Sequence, residues 1–298
     1  MADDIHTTIA DIVHSAIAEP PVKIEKIGGM TNTNYYCETQ NTKTVVRLPG
    51  ENTNVLINRG NEKANCELAT ELGINPKLYY YNTNNGIKVT EYINNAVTLT
   101  PKIINKDVNL ENIALLLRTL HQSDLKFENH FNVFEEYKRY LSDLNKNQIN
   151  YPDFTETESY FLYFEERLNK LGLNICPCHN DPVPENFIYN DNGYYLIDWE
   201  YSGMNDNIWD IAALCEESHL SDNDENIFLN HYLNEYSSES EAIKEKILIY
   251  KACQNFLWSI WTLIKEKNEN LFGTYGIDRY KKCQKQMNLH RKKYATTE

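Results

Sequence analysis

The feature of this chain that most restricts its fold is the segment CHNDPVPENFIYNDNGYYLIDWEY, residues 178–201. Asp181 follows a histidine by two residues, Asn186 lies five residues further on, and a short apolar hairpin leads to a second acid, Asp198. Phosphoryl transfer from a nucleotide requires an acid that accepts the hydroxyl proton and oxygen ligands for the metal that neutralises the phosphates. The segment therefore predicts a kinase catalytic loop, with Asp181 as the base and Asn186 and Asp198 as metal ligands.

Taken alone, the His, Asp and Asn residues would also suit an ordinary polar loop, because Asp and Asn are common in turns. The apolar strand before the loop and the hairpin after it favour the catalytic interpretation. We expect His179 to be a structural residue of the loop. Cys176 and Cys178 stand beside it, but no second ligand pair follows at zinc spacing, so we expect two strand residues.

The composition is that of an ordinary globular protein, with 298 residues, 41% of them hydrophobic and 24% charged. No apolar run approaches the roughly 18 residues that span a bilayer, and the acidic start lacks the basic region of a signal peptide. Seven cysteines without a pairing pattern suggest free thiols in a reducing cytoplasm. The net charge of −14 makes nucleic acid a poor partner. We expect a cytoplasmic monomer or homodimer without membrane insertion.

The pattern of apolar residues predicts an α+β chain with a two-lobed, protein-kinase-like fold. Five strands are expected at residues 22–27, 34–39, 44–48, 77–81 and 87–90, with one helix at 58–72. Polar, irregular sequence then extends to about residue 107, and helical spacing dominates beyond it. We therefore expect a nucleotide-binding lobe over residues 1–93 and a helical lobe with the catalytic loop over residues 94–298.

A kinase places a cation on its third strand and pairs it with an acid on the next helix, and together they grip the nucleotide phosphates. Arg47 occupies that place here, and a guanidinium holds phosphate oxygens bidentately. Glu62 is the preferred partner and Glu67 the alternative, while an exposed ion pair of little value is the competing interpretation. The turn at residues 28–34 carries no phosphate-binding glycine motif. Its position nevertheless makes Thr31 and Asn32 candidates for covering the phosphates.

Trp258 and Trp261 share one face of a helix predicted over residues 242–267. Such a pair either packs in a core or forms an aromatic cage for an alkylated ammonium, because ring faces attract cations. The two residues alone favour neither interpretation.

Taken together, these residues resemble the choline/ethanolamine kinase family, within the aminoglycoside-phosphotransferase-like group of small-molecule kinases. The likeness runs from Gly28 to about Tyr280 and is strongest in LIDWEYSGMNDNIWDIAALCEES and NFLWSIWTLIKEKNENLFGTYGIDRY. It implies a choline kinase that uses ATP and magnesium, or manganese in its place, to make phosphocholine. The alternatives are a kinase for ethanolamine, an aminoglycoside or another amino alcohol, and a catalytically silent amine-binding protein.

The resemblance also implies residue roles beyond the catalytic loop. Arg47 and Glu62 match the phosphate clamp, Glu91, Tyr92 and Ile93 match the hinge that meets adenine, and Tyr201, Glu217, Trp258 and Trp261 match the choline site. Asp210 matches a residue that braces the loop. The family often adds a cage tyrosine shortly after the acid, where this chain has Ser218, His219 and Leu220. We therefore expect Tyr275 or Tyr280 to complete the cage.

Overall fold

The computed structural model describes residues 2–28, 32–50, 57–144, 149–233, 240–267 and 272–294. The helices are α1 (Ala2–Ile17), α2 (Arg59–Glu71), α3 (Asp107–His121), α4 (Val133–Asp143), α5 (Phe154–Leu171), α6 (Asn207–Glu217), α7 (Asp222–Leu233), α8 (Glu241–Glu266) and α9 (Tyr275–Tyr294). The strands are β1 (Lys23–Gly28), β2 (Thr33–Glu38), β3 (Lys43–Leu48), β4 (Leu78–Tyr81), β5 (Lys88–Glu91), β6 (Val97–Thr98), β7 (Ile175–Cys178), β8 (Phe187–Asn190), β9 (Gly193–Leu196) and β10 (Gly203–Asp206). None of the described helices is both long and apolar enough to cross a membrane.

The first five strands form one antiparallel sheet in the order β1-β2-β3-β5-β4, which confirms the sheet expected from the sequence. Successive side chains of a strand point to opposite faces, and this alternation gives the sheet two different surfaces. Val46 and Val89 pair across β3 and β5 and are buried on the side that packs against α1. Arg47 and Lys88 also pair across these strands, and their side chains turn to the other side, towards α2.

Helix α2 has well-defined ends. The side chain of Asn58 accepts hydrogen bonds from the amides of Gly60 and Asn61, which satisfies two of the donors that a helix start leaves free. Gly73 follows the helix with a φ of 81°, a left-handed conformation that glycine adopts without strain. These ends place Glu62 in the first turn, where it faces β3.

Beyond Glu91 the chain is mainly helical, as predicted, and one large apolar core connects helices α3 to α9. Two small sheets complete this part: β7 pairs with β10, and β6 pairs with the β8-β9 hairpin. The sequence analysis missed β10, since Gly203–Asp206 contains residues typical of turns. Cys176 and Cys178 are strand residues of β7, and all seven cysteines are buried free thiols, as expected.

Candidate active site

The loop between β7 and β8 brings the predicted base and a predicted metal ligand together. A short 3-10 helix, Pro184–Asn186, turns the chain directly into β8. The side-chain nitrogen Nδ2 of Asn186 donates to the main-chain oxygen of Asp181 at 2.9 Å and lies 3.5 Å from the carboxylate Oδ2 of the same residue. The amide of Ile197 donates to the main-chain oxygen of Asn186 at 2.9 Å, and this bond brings Asp198 to the loop.

Asp210 of α6 holds the start of this loop. Its two carboxylate oxygens accept hydrogen bonds from the main-chain amides of His179 and Asn180, each at 2.8 Å. His121 of α3 lies 3.0 Å away through Nε2. Asn180 itself has a φ of 67°, a conformation that costs energy for a residue other than glycine. The buried carboxylate therefore compensates a strained turn just before the proposed base.

His179 connects the loop to the hairpin. Its Nδ1 accepts a hydrogen bond from the amide of Asp181 at 3.3 Å, and its Nε2 lies 3.0 Å from the carbonyl oxygen of Ile197. An acceptor at Nδ1 and a donor at Nε2 define one neutral tautomer. Burial lowers the pKa of His179, which favours the same neutral form. His179 is therefore placed as a brace, as expected, and not as a carrier of protons.

Arg47 joins the sheet, the helix and the hairpin. Its Nη2 lies 2.5 Å from Oε1 of Glu62, and its Nη1 donates to Oδ1 of Asp198 at 2.7 Å. Glu67, the alternative partner, instead forms an exposed pair with Lys63. Burial alone would raise the pKa of Glu62, but the nearby cations, Arg47 first, hold it at about 2. The pair is therefore ionised and buried, unlike an incidental surface ion pair.

Two further cations surround the same carboxylate, and the sequence analysis missed both. Nη1 of Arg59 lies 2.7 Å from Oε2 of Glu62, and Nζ of Lys88 lies 3.5 Å from Oε1. Lys88 begins the short strand β5, next to the buried Val89, and a lysine at such a position gives only a weak signal for a buried role. Three cations thus meet one glutamate, and Arg47 and Lys88 line the cleft, so this end of the cleft suits phosphate groups.

The cleft between the sheet and the hairpin has a volume of about 440 Å³, and Glu91, Tyr92 and Ile93, the expected hinge, are among the residues that line it. The hinge is held by main-chain bonds, from the amide of Glu91 to Lys77 and from the amide of Tyr92 to Lys43. Asn32 is buried at the cleft, and its side-chain oxygen accepts from the amide of Gly50 at 3.3 Å. Thr31 lies outside the described residues.

Asn186 and Asp198 line this cleft as well, and both offer oxygen ligands. Because the side-chain nitrogen Nδ2 of Asn186 is directed to Asp181, its side-chain oxygen Oδ1 is available to a metal ion. Asp198 has a φ of 68°, and such strain in a residue other than glycine is typical of functional sites. Carboxylate and amide oxygens are the ligands that magnesium prefers. The donor set therefore fits a magnesium ion that accompanies nucleotide phosphates.

Aromatic rings from the hairpin and from α8 meet next to the loop. The ring of Tyr201 contacts Trp258 edge to face at 5.4 Å, and Trp258 is nearly perpendicular to Trp261 at 6.1 Å. All three rings are only partly buried. The two tryptophans expected on one helix face thus form a cluster with Tyr201, which follows the catalytic hairpin. A tryptophan pair that only packed the core would not need this contact.

Glu217 and Tyr275 are linked through a residue that the sequence analysis did not single out. The guanidinium of Arg279 forms an ion pair with Glu217, and its Nε donates to the hydroxyl of Tyr275 at 3.0 Å. Tyr280 behaves differently. It is fully buried, its hydroxyl donates to the main-chain oxygen of Pro152 at 2.8 Å, and the structure does not bring it to the site. Five residues along a helix turn a side chain to another face, so the two tyrosines separate.

Comparisons with known proteins identify the family of this chain. The model of the family described as choline/ethanolamine kinase matches residues 24–288. The chain belongs to this family. It is 36% identical to Protein LicA of Haemophilus influenzae over 265 residues, which cover 87% of this chain and 78% of that protein. The crystal structure of choline kinase LicA from Streptococcus pneumoniae superposes with a TM-score of 0.85 at 40% identity, covering 96% of this chain and 99% of the other.

A crystal structure of LicA in complex with AMP is likewise similar, with a TM-score of 0.82 and 40% identity over 95% of this chain and 98% of that one. As a choline/ethanolamine kinase family member, the chain is a small-molecule kinase that uses a nucleotide. The α+β kinase-like fold predicted from the sequence is confirmed.

The electrostatics of the proposed base connect the two halves of this family member's site. Burial is the main cause that raises the pKa of Asp181 well above its ordinary value, followed by the negative charges of Glu217, Asp198 and Glu200. The positive charge of Arg279 opposes the increase. Both Glu217 and Arg279 therefore lie close enough for their charges to act on Asp181.

Proposed function

We propose that this family member is a choline kinase, which transfers the γ-phosphate of ATP to the hydroxyl of choline. The observation that carries the proposal is the contact between Tyr201 and Trp258, at 5.4 Å. It joins the catalytic hairpin to the tryptophan helix, so that a substrate held by the rings presents its hydroxyl near Asp181. A structural neighbour of 40% identity, itself a choline kinase, supports the same assignment.

In the proposed mechanism Asp181 accepts the proton of the alcohol while the alcohol oxygen attacks the γ-phosphate in line. The side-chain amide of Asn186 donates to the main-chain oxygen of Asp181, which fixes the loop, and lies 3.5 Å from the carboxylate Oδ2. Arg47 directs its guanidinium at the phosphates and stabilises the charge that develops on them. Asn186 and Asp198 would hold a magnesium ion, which would supply positive charge to offset that of the phosphates. As the new bond to phosphorus forms, the bond between the γ-phosphorus and the β-phosphate oxygen breaks, ADP departs, and the alcohol proton is on Asp181.

The amine site follows from the chemistry of a quaternary ammonium. A trimethylammonium group cannot donate N–H hydrogen bonds, so it gains most from aromatic faces and a nearby negative charge. Tyr201, Trp258, Trp261 and Tyr275 supply the rings. Glu217 supplies the charge, which it shares with Arg279. The ring faces therefore carry most of the affinity for choline.

The nucleotide side of the proposal uses the first lobe, residues 1–93. Main-chain groups of Glu91, Tyr92 and Ile93 meet the adenine, and Asn32, together with Thr31, covers the phosphates. ATP and magnesium are both abundant in the cytoplasm, where we place the enzyme. The second lobe, residues 94–298, then supplies the base, the metal ligands and the amine site.

One experiment separates the candidate substrates. ADP release is measured with choline, ethanolamine, their methylated intermediates and an aminoglycoside, at fixed ATP and magnesium. Preference for choline supports the proposal. Preference for ethanolamine would indicate the other activity named by the family, and activity with the aminoglycoside alone would refute the amine cage. The absence of ADP release with every acceptor would indicate a silent binding protein.

A further inference from the structure

Tyr140 of helix α4 is fully buried, yet its hydroxyl has no hydrogen-bond partner among the described residues. Buried polar groups are almost always paired, so an unpaired hydroxyl points to a ligand. Tyr137, one turn earlier on the same helix, shows the usual arrangement, since its hydroxyl donates to Glu158 at 2.6 Å. The difference between the two tyrosines lies in what each hydroxyl faces.

The packing of α4 against α8 locates Tyr140. The ring of Tyr137 lies 5.2 Å from Phe256, and at the end of both helices Lys267 donates to the main-chain oxygen of Asp143 at 2.7 Å. The two helices therefore run side by side in the same direction. Tyr140 lies between these two contacts, and so beside the turn of α8 that carries the tryptophans.

Two further polar atoms in this region are buried without a hydrogen-bond partner within the described part of the chain. They are Oε2 of Glu200, which follows the catalytic hairpin and lies 3.8 Å from the cationic Nη1 of Arg59, and Nε1 of Trp261 on α8. Burial and then nearby carboxylates, Glu136 first and Glu200 and Asp181 after it, raise the pKa of Tyr140, and the positive charge of Arg139 opposes the increase. Among the described residues, buried polar atoms without a hydrogen-bond partner thus occur on three separate elements, and the carboxylates of Glu200 and Asp181 lie close enough to act on Tyr140.

We infer that the hydroxyl of Tyr140 accepts a hydrogen bond from an ammonium N–H group and thereby determines how well the site takes less methylated amino alcohols. This inference rests on the proposed function. Ethanolamine carries three N–H donors, whereas choline carries none. A site with a buried hydrogen-bond acceptor binds a ligand less tightly when the ligand has no N–H or O–H group to donate to that acceptor. Tyr140 is therefore a specificity-determining residue of the amine site. Its hydroxyl favours amines that carry N–H groups, whereas the ring faces favour the trimethylammonium group of choline.

The test replaces Tyr140 by Phe, which removes the hydroxyl and keeps the ring. The ratio of kcat/KM for ethanolamine to kcat/KM for choline is measured in wild type and in Tyr140→Phe, with N-methylethanolamine as an intermediate. Loss of a hydrogen bond to a charged group lowers this ratio about tenfold, mainly through KM. For an amine that is not phosphorylated, its inhibition constant against choline replaces KM in the comparison.

Tyr137→Phe is the matched control, because it removes a buried hydroxyl from the same helix that is already paired with Glu158. Its ratio should equal that of wild type. An unchanged ratio in Tyr140→Phe, or equal losses for all amines, would overturn the inference while the proposed function stands. A wild-type protein that neither phosphorylates nor binds any of these amines would overturn both.

Discussion

One guanidinium group of Arg47 contacts two carboxylates at once, Asp198 through Nη1 at 2.7 Å and Glu62 through Nη2 at 2.5 Å. It therefore connects strand β3 with helix α2 and with the catalytic hairpin. Only 5% of its surface is exposed, so water screens these contacts weakly. Arg47 therefore fixes the position of Glu62, its partner in the expected phosphate clamp, relative to Asp198, the expected metal ligand.

Arg47→Lys should therefore impair the enzyme although it preserves the charge. A single ammonium cannot span both carboxylates in the geometry of a planar guanidinium. We expect kcat/KM for ATP to fall by about tenfold to a hundredfold, which corresponds to the free energy of one lost hydrogen bond to a charged group. Steady-state kinetics with varied ATP measures it. Arg291→Lys, at an exposed ion pair with Glu156, is the control and should match wild type.

Asp181→Asn tests the base. It keeps the shape of the side chain but cannot accept the proton, so we expect kcat to fall by roughly 10² to 10⁴-fold. Nucleotide affinity, measured with a fluorescent ATP analogue, should remain near that of wild type. Asp191→Asn in the exposed β8-β9 turn is the control. Near-normal turnover in Asp181→Asn would show that another group accepts the proton.

Substitutions at Trp258 test the amine site. Trp258→Leu keeps an apolar side chain and removes the ring face, so we expect the KM for choline to rise about tenfold, in line with the strength of cation–π contacts. Trp258→Phe keeps a ring and should show a smaller increase. The KM for ATP should hardly change in either variant. Equal choline KM values in wild type and the Leu variant would return Trp258 to a packing role.

Glu245 allows a test of stability against pH. Burial would raise its pKa, but Arg167, at 2.6 Å, and His290, at 2.9 Å, together hold the pKa of Glu245 below its usual value. A carboxylate with a lowered pKa stabilises the fold above its unfolded pKa, and that contribution disappears as the pH falls through the folded pKa.

Glu245→Gln should accordingly lower the free energy of unfolding by about 2 kcal/mol at pH 7. The gap between wild type and variant should narrow as the pH drops below about 4, near the ordinary range for glutamate. Urea unfolding at several pH values measures it. Glu241→Gln, at an exposed glutamate of the same helix, should change stability less. A gap independent of pH would mean that the charge of Glu245 does not contribute.

The sequence was informative wherever the chemistry is local. Asp181, Asn186 and Asp198 lie in one loop and hairpin, and short-range geometry alone brings such residues together. Arg47 could be placed because it lies on the third strand, directly before helix α2, and Glu62 lies in the first turn of that helix. Glu62 could be preferred over Glu67 for the same reason, and the structure bears this preference out.

Long-range packing determined the rest, and there the sequence was silent. Lys88 reaches Glu62 because β3 and β5 pair in a particular register. Tyr140 reaches the region of the amine site because α4 and α8 lie in parallel, and in the sequence it resembles any apolar residue of a buried helix face. Tyr275 and Tyr280 differ in their surroundings only because of how helix α9 packs against the rest of the chain, which the sequence does not show.

The attachment of the catalytic loop to Asp210 has a consequence for the order of events. Asp210 belongs to α6, and through it the base is fixed to the same group of helices that carries the aromatic rings. Arg47 belongs to the five-stranded sheet instead, and the expected hinge continues from its strand β5. Any rocking of the sheet over the helices would change the approach of the phosphate and leave the spacing between base and alcohol as it is. Closure would then set the moment of transfer, while the choice of alcohol is already made.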